Sequence, residues 1–296
     1  MVVLAALWGS SYMFIKLAID GGLSDTFIVF ARTLLGAAVL APVALRSGAF
    51  GAARRRLGWL AVISAVQITG PLLLITIAEH HVPSSLAGIL VASAPIWTAL
   101  IVLFAVREER LKPVGVVGIL AGIVGVALLF GVDLSGDGDA MLGGAAILLA
   151  GLGYAVAGVL AKRKVHDVPP VGVAGTITAI SALVLLPTVP FNGPGAVPDA
   201  GTIAAMLVLG FGGTGIAFLI FYTLNADIGP SRTSVVAYIA PVFSVLYGVT
   251  LLDEPFTVGI AGGLVLILAG SWLAVDGRLP RRRGQTAPAV SADTPV

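Results

Sequence analysis

Trp8, Tyr12 and Lys16 recur at a spacing of four, so on a helix they share one face, with Ser11 beside it. A lysine in so apolar a run has two uses. It faces a cavity and binds an anionic group of a solute, or it reaches back to the nearby surface, where Asp20 lies one turn on. Arg32, about a turn and a half into the second apolar run, poses the same choice, with Glu79 or Asp25 as static partners. The chemistry on offer is recognition of a polar group in an apolar setting.

Other candidates for such a pathway are Gln67, Ser93, Trp97, Tyr154, Thr214 and Tyr238. Thr214, Phe218 and Tyr222 again follow a fourfold spacing, and Ser93, Trp97 and Tyr238 lie about one turn from a proline. Aromatic rings with isolated hydroxyls or amides suit a mostly apolar solute carrying one polar group. The same residues also serve as helix-packing or interfacial aromatics. Pro95 and Pro241 remove backbone donors inside apolar runs, and Pro71 does so near Gln67. Freed carbonyls at matched points mark either a central site with gating breaks or packing kinks.

Catalytic chemistry is poorly provided for. There are no cysteines, and three histidines (His80, His81, His166) do not suggest a metal centre. No H-E-x-x-H or G-x-S-x-G occurs, so an intramembrane enzyme is the weakest reading. Gly210-Phe211-Gly212-Gly213-Thr214-Gly215 matches G-x-G-x-x-G. It lies inside an apolar run with no strand before it, so the glycines fit close helix packing and not dinucleotide binding. No cofactor and no metal are expected. No Asp or Glu falls in the middle third of any run, which points to exchange, to movement down a gradient, or to proton coupling through another group. His80 and His81 read as a solvated turn.

The elements that must position these residues follow from composition. Of 296 residues, 58% are hydrophobic and 11% charged, less than half of the roughly 25% in a soluble domain. Ten runs are long enough for spans: 2–19, 27–45, 57–78, 84–106, 113–131, 141–161, 171–190, 202–224, 231–251 and 256–275. Residues 2–19 are expected to be a retained span and not a cleaved signal. The fold expected is an all-α membrane protein of ten transmembrane helices.

Charge sets the orientation. Fifteen of seventeen basic residues (Arg46, Arg54–Arg56, Arg107, Arg110, Lys112, Lys162–Lys164, Arg232, Arg278 and Arg281–Arg283) fall on one side if both termini are cytoplasmic. The opposite loops carry Asp20, Asp25, Glu79, Asp133, Asp137, Asp139, Asp199, Asp253 and Glu254. The chain is thus placed in the plasma membrane. Its basic pI of about 9.1 needs no nucleic-acid partner.

A shift of 146 residues brings Pro95 onto Pro241, Glu108 onto Glu254, Lys16 onto Lys162 and Trp8 onto Tyr154. Adjusting by one residue aligns Gly118 and Gly125 with Gly263 and Gly270. Five spans per half would invert the second half, an arrangement typical of secondary transporters. The expected division is residues 1–131, residues 132–275 and a disordered cytoplasmic tail, 276–296.

The first span W-G-S-S-Y-M-F-I-K (8–16), the paired A-P-x12-E and the glycine-spaced fifth and tenth spans resemble the drug/metabolite transporter superfamily, specifically its EamA type. The resemblance implies two inverted five-helix repeats and transport of small metabolites such as amino acids, often as export. Tyr154-Ala155 stands where the first half has Trp8-Gly9, a departure from symmetry. The partners implied are a small-molecule substrate and the lipid bilayer, with the chain a monomer or homodimer. The alternative is a flippase or exporter of a lipid-like or xenobiotic compound.

Overall fold

The computed structural model describes residues 1–105 and 113–275, and these contain helices and connecting turns but no strand. Backbone polar groups in lipid have no water to bond, so apolar runs of this length must satisfy them internally. Eight segments are long and apolar enough to cross a membrane: Val2–Asp20, Asp25–Arg46, Leu57–Ala78, Ser84–Ile101, Pro113–Val132, Gly138–Lys164, Pro170–Asn192 and Ala200–Ile228. Two shorter apolar helices follow, Val236–Leu251 and Val258–Ala274. They are called the first to tenth helices below. Arg107, Glu108, Arg110, Lys112 and the tail 276–296 lie outside the described residues.

Several helices depart from a plain cylinder. The third contains a π-helical turn at Ala65–Thr69, and the eighth a longer one at Val208–Ile216. The fourth divides into Ser84–Val91 and Ala94–Ala105, with Pro95 in the first turn of its second part. Pro241 differs from the expected break, because it lies within the unbroken helix Val236–Leu251. Its ring sits too near that helix's start to disrupt more than its first turn. Pro71 opens the regular helix Gly70–Ala78 that follows the first π turn. A short helix, Ala49–Arg54, occupies the connection between the second and third helices.

The acidic and basic ends carry a structural signature as well as a topogenic one. Helices that start at the acidic end have side-chain caps on their backbone N–H groups. Ser24 accepts from Phe27 N, Asp137 from Asp139 N and Ala140 N, and Asp199 from Gly201 N and Thr202 N. Thr257 accepts from Ile260 N at 3.0 Å. At the other end Arg46 and Lys162–Lys164 occupy last turns, where cations complement the carbonyl end of the helix dipole.

The fifth and tenth helices pack most extensively, and glycines allow their close approach. A Cβ on Gly270 would lie 2.5 Å from Gly122 N, and one on Gly118 would lie 2.5 Å from Ala274 N. The second and seventh helices form another major pair, as do the fourth and ninth. The first helix packs on the ninth and eighth, the sixth on the fourth and third, the second on the eighth, and the third on the seventh.

Candidate functional site

The first, second and eighth helices meet at Arg32. Its Nε donates to Thr214 Oγ1 at 2.9 Å, and its Nη2 donates to Ser11 Oγ at 3.3 Å. The arginine is 8% exposed, and both hydroxyl partners are buried. Thr214 belongs to the π turn of the eighth helix, where its hydroxyl also reaches Leu209 O at 3.3 Å. Wide π geometry brings the eighth helix's glycine run against the second: a Cβ on Gly210 would stand 2.5 Å from Leu35 Cβ. The stretch read as a decoy for dinucleotide binding is therefore helix-packing surface, and it delivers Thr214 to Arg32.

Tyr12 and Tyr154 lie near Arg32, as does Glu79, and Tyr12 also lies near Glu79. Tyr12 and Tyr154 are half-buried, on the first and sixth helices. Glu79, which follows the last turn of the third helix, is 1% exposed, and neither of its carboxylate oxygens has a hydrogen-bond partner. Burial pushes its carboxyl well above the usual carboxylate range. The charge of Glu254 adds to that rise, while Arg32 and Lys16 oppose it.

Toward the basic end the Trp8–Tyr12 face of the first helix turns aromatic. The Trp8 ring lies 6.3 Å from Phe218 and 5.4 Å from Phe221, and Phe218 stacks on Tyr222 at 6.0 Å. Ser93 and Trp97 face the sixth helix one turn from Tyr154, since a Cβ on Gly151 would lie 3.4 Å from Ser93 Oγ and 3.5 Å from the Trp97 ring. The hydroxyl of buried Ser93 has no partner.

The remaining candidates lie apart from Arg32. Lys16 pairs with Asp20 at 3.2 Å, and the pair is partly exposed, which matches the surface-reaching use of this lysine. Asp25, one of the static partners expected for Arg32, instead bonds His80 Nε2 at 2.8 Å on the surface. Gln67 is half-buried in the π turn of the third helix, and Pro71 packs toward Gly153 on the sixth. The Tyr238 hydroxyl lies 3.5 Å from Ser271 O on the tenth helix.

Contacts made by the fourth helix were not legible in its sequence. Glu254 accepts from Ser84 N at 2.6 Å and Ser85 N at 2.9 Å, so a distant carboxylate caps this helix. At its internal break, Ser271 Oγ donates to Ala92 O at 2.9 Å. The prolines did signal freed carbonyls, but not the serine that would meet one. The paired A-P-x12-E motif singled out Glu254 without its role. Glu79 read as a static partner of Arg32, and the structure buries both of its oxygens without a hydrogen bond. No group of three or more His, Asp or Glu residues that could hold a metal occurs among the described residues.

With this geometry in view, the comparisons with known proteins agree on one class. The chain is 28% identical to an uncharacterized inner membrane transporter, YedA, of Escherichia coli K12, over 84% of this chain and 80% of that protein. It is 34% identical to the aromatic amino acid exporter YddG of Ancylobacter novellus, over 65% of this chain and 67% of that one. It is 23% identical to a probable amino-acid metabolite efflux pump of Salmonella typhimurium, over 97% of both. A crystal structure that is 28% identical superposes with a TM-score of 0.62, covering 92% of this chain and 97% of that one. Residues 1–131 and 141–275 each match the pattern of the EamA-like transporter family. The chain belongs to the EamA-like transporter family, whose members are integral membrane transporters.

Proposed function

We propose that this chain exports or exchanges a small metabolite, an amino acid or a related solute with one polar end and an apolar body, by alternating access between two inverted five-helix repeats. The observation that carries the reading is Arg32, a buried guanidinium held by one residue from each of two other helices. Fixed in this way, it offers remaining N–H donors to a carboxylate without first having to be ordered. The Trp8–Phe218–Tyr222 group supplies an apolar wall toward the basic end. The names of two relatives, an aromatic amino acid exporter and a probable amino-acid metabolite efflux pump, point to the same solute class.

The inverted repeat is supported by helix pairing. Exchanging the first five helices with the last five turns the first–ninth contact into the sixth–fourth contact. The same exchange turns the third–sixth contact into the eighth–first, and the second–eighth into the seventh–third. The π turns also fall on corresponding helices, the third and eighth. The charge is not symmetric. Where the second and eighth helices meet through Arg32 and Thr214, the seventh and third meet through Ser181 and Thr69 at 2.9 Å. Binding is accordingly assigned to the first half's arginine, with the acidic end facing outward and both termini cytoplasmic.

Counterflow in proteoliposomes against a panel of amino acids, organic acids and amines tests the proposal. Saturable uptake of zwitterions or acids, lost in Arg32→Ala with the protein still folded, is the expected result. Uptake confined to amines, or unaffected by Arg32→Ala, would refute the assignment.

A further inference from the structure

Glu79 is the one carboxyl among the described residues with both oxygens buried and neither one hydrogen-bonded. Its neighbours Ile75, Ala78 and Val82 belong to the largest apolar cluster of the protein. The sixth helix closes over it from the side: a Cβ on Gly143 would lie 2.8 Å from Val82 and 3.3 Å from Ala78 O. An ionised carboxylate in such a place is strongly disfavoured, and a protonated one far less so. The groups that act on it come from three of the elements around it. The first helix brings Tyr12, Lys16 and Asp20, the second Arg32, and the turn between the ninth and tenth helices Glu254. His80 and His81 flank it on its own turn but are exposed, with His80 held by Asp25.

None of these neighbours hydrogen-bonds Glu79. Lys16 is engaged by Asp20, Arg32 by Ser11 and Thr214, and Glu254 is a second negative charge whose oxygens are held by Ser84 N and Ser85 N. With no hydrogen-bond donor on either oxygen, the buried site favours the protonated form of Glu79.

We propose that Glu79 is a proton-binding site of the acidic end, which closes only when a proton from the solution on that side has neutralised this carboxylate. In the open form water reaches the ionised group. One proton adds to one carboxylate oxygen, the helices close over the neutral acid, and reopening returns the group to water, where it ionises. Closure is fully available at pH below the open-form value of the group, and it weakens as pH rises toward the higher closed-form value. Alternating access enters only in the premise that this end opens, and the test below reads opening without any solute.

The chain has no cysteine, so a single introduced thiol reports access without background. Ser85, fully buried beside Glu254, becomes the reporter as Ser85→Cys. Val197→Cys, at a position 88% exposed near the acidic end, supplies the reference for the reagent's own pH response. In full-length protein in liposomes, reaction of Ser85→Cys with an impermeant maleimide, relative to Val197→Cys, is expected to slow by up to about tenfold per unit fall in external pH through the transition. Adding Glu79→Gln, or Glu79→Met if the amide variant fails to fold, is expected to give slow labelling at every pH. Glu79→Asp is expected to retain the pH response. A relative rate that ignores pH with Glu79 present, or that follows pH equally in Glu79→Gln, overturns the proposal. Failure of the carrier reading looks different, because solute flux would then be missing while the Glu79-dependent labelling persisted.

Discussion

Arg32 and Thr214 stand 182 residues apart in the chain and share a hydrogen bond of 2.9 Å, buried between the second and eighth helices. Each comes from a different half, so the bond also ties the two halves together. A charge-assisted hydrogen bond of this kind contributes about 1.5–3 kcal/mol. Thr214→Val should lower the unfolding temperature in detergent, whereas Thr214→Ser should leave it nearly unchanged. Arg32→Lys keeps the charge but loses the fork that reaches Ser11 and Thr214 together. It should reduce solute flux at least about tenfold, measured in the counterflow assay.

Glu254 makes a different kind of link, a carboxylate on the amide groups that open the fourth helix. Glu254→Ala leaves two buried donors bare and should cost about 1–3 kcal/mol. Glu254→Gln keeps one accepting oxygen and should recover part of that loss. Thermal unfolding of the three proteins side by side checks the order, and equal stability for Gln and Ala would contradict it.

At the break in the fourth helix, Ser271 holds the carbonyl of Ala92. Ser271→Ala should cost about 1 kcal/mol and accelerate hydrogen exchange near residues 92–96. Unchanged exchange there would mean that water substitutes fully for the serine.

The fifth and tenth helices touch through glycine. Gly270→Leu places a side chain where a Cβ alone would meet Gly122 N at 2.5 Å, so the helices must separate. The expected result is loss of folded protein on size-exclusion chromatography. Gly51→Ala, at a site with open space around it, serves as the tolerated control.

Asp199 gives a pH prediction away from Arg32. Hydrogen bonds from the Thr202 side chain and from the Thr202 and Gly201 backbone hold its carboxyl below the usual carboxylate range. A depressed value means the cap is present at neutral pH and is lost as pH falls through that lowered value. The difference in unfolding temperature between wild type and Asp199→Ala should therefore shrink in strong acid. A gap that persists there would mean the protonated acid caps equally well.

Much of this architecture was legible because lipid leaves the chain few options. The runs at 2–19 and 57–78 became helices with nearly the same limits, since apolar length and terminal charges decide both. Close helix approach at the 210–215 glycines was legible for the same reason. What one sequence cannot display is which distant groups meet. Arg32 offered Asp25 and Glu79 as partners by proximity to the same end, but its donors chose two hydroxyls, one of them half a chain away. A buried arginine among uncharged acceptors reads no differently, residue by residue, from one beside an acid. Ser271 and Ser244, which hold carbonyls of the fourth helix, looked like ordinary small residues for the same reason. Pro241 resembled Pro95 in sequence, and only its distance from the start of its helix separates the two.

The π turn at Val208–Ile216 gives length changes an unusual meaning. In a plain helix, one residue more or less swings everything beyond it by about 100°. A π turn holds an extra residue in a widened turn, so deleting one residue within it would restore ordinary winding and leave the helix beyond it in register. Phe218 and Phe221 would stay beside Trp8, while Thr214 and the glycines around it would change their aim. Gain or loss of a single codon here would thus retune the contact with Arg32 and spare the aromatic wall.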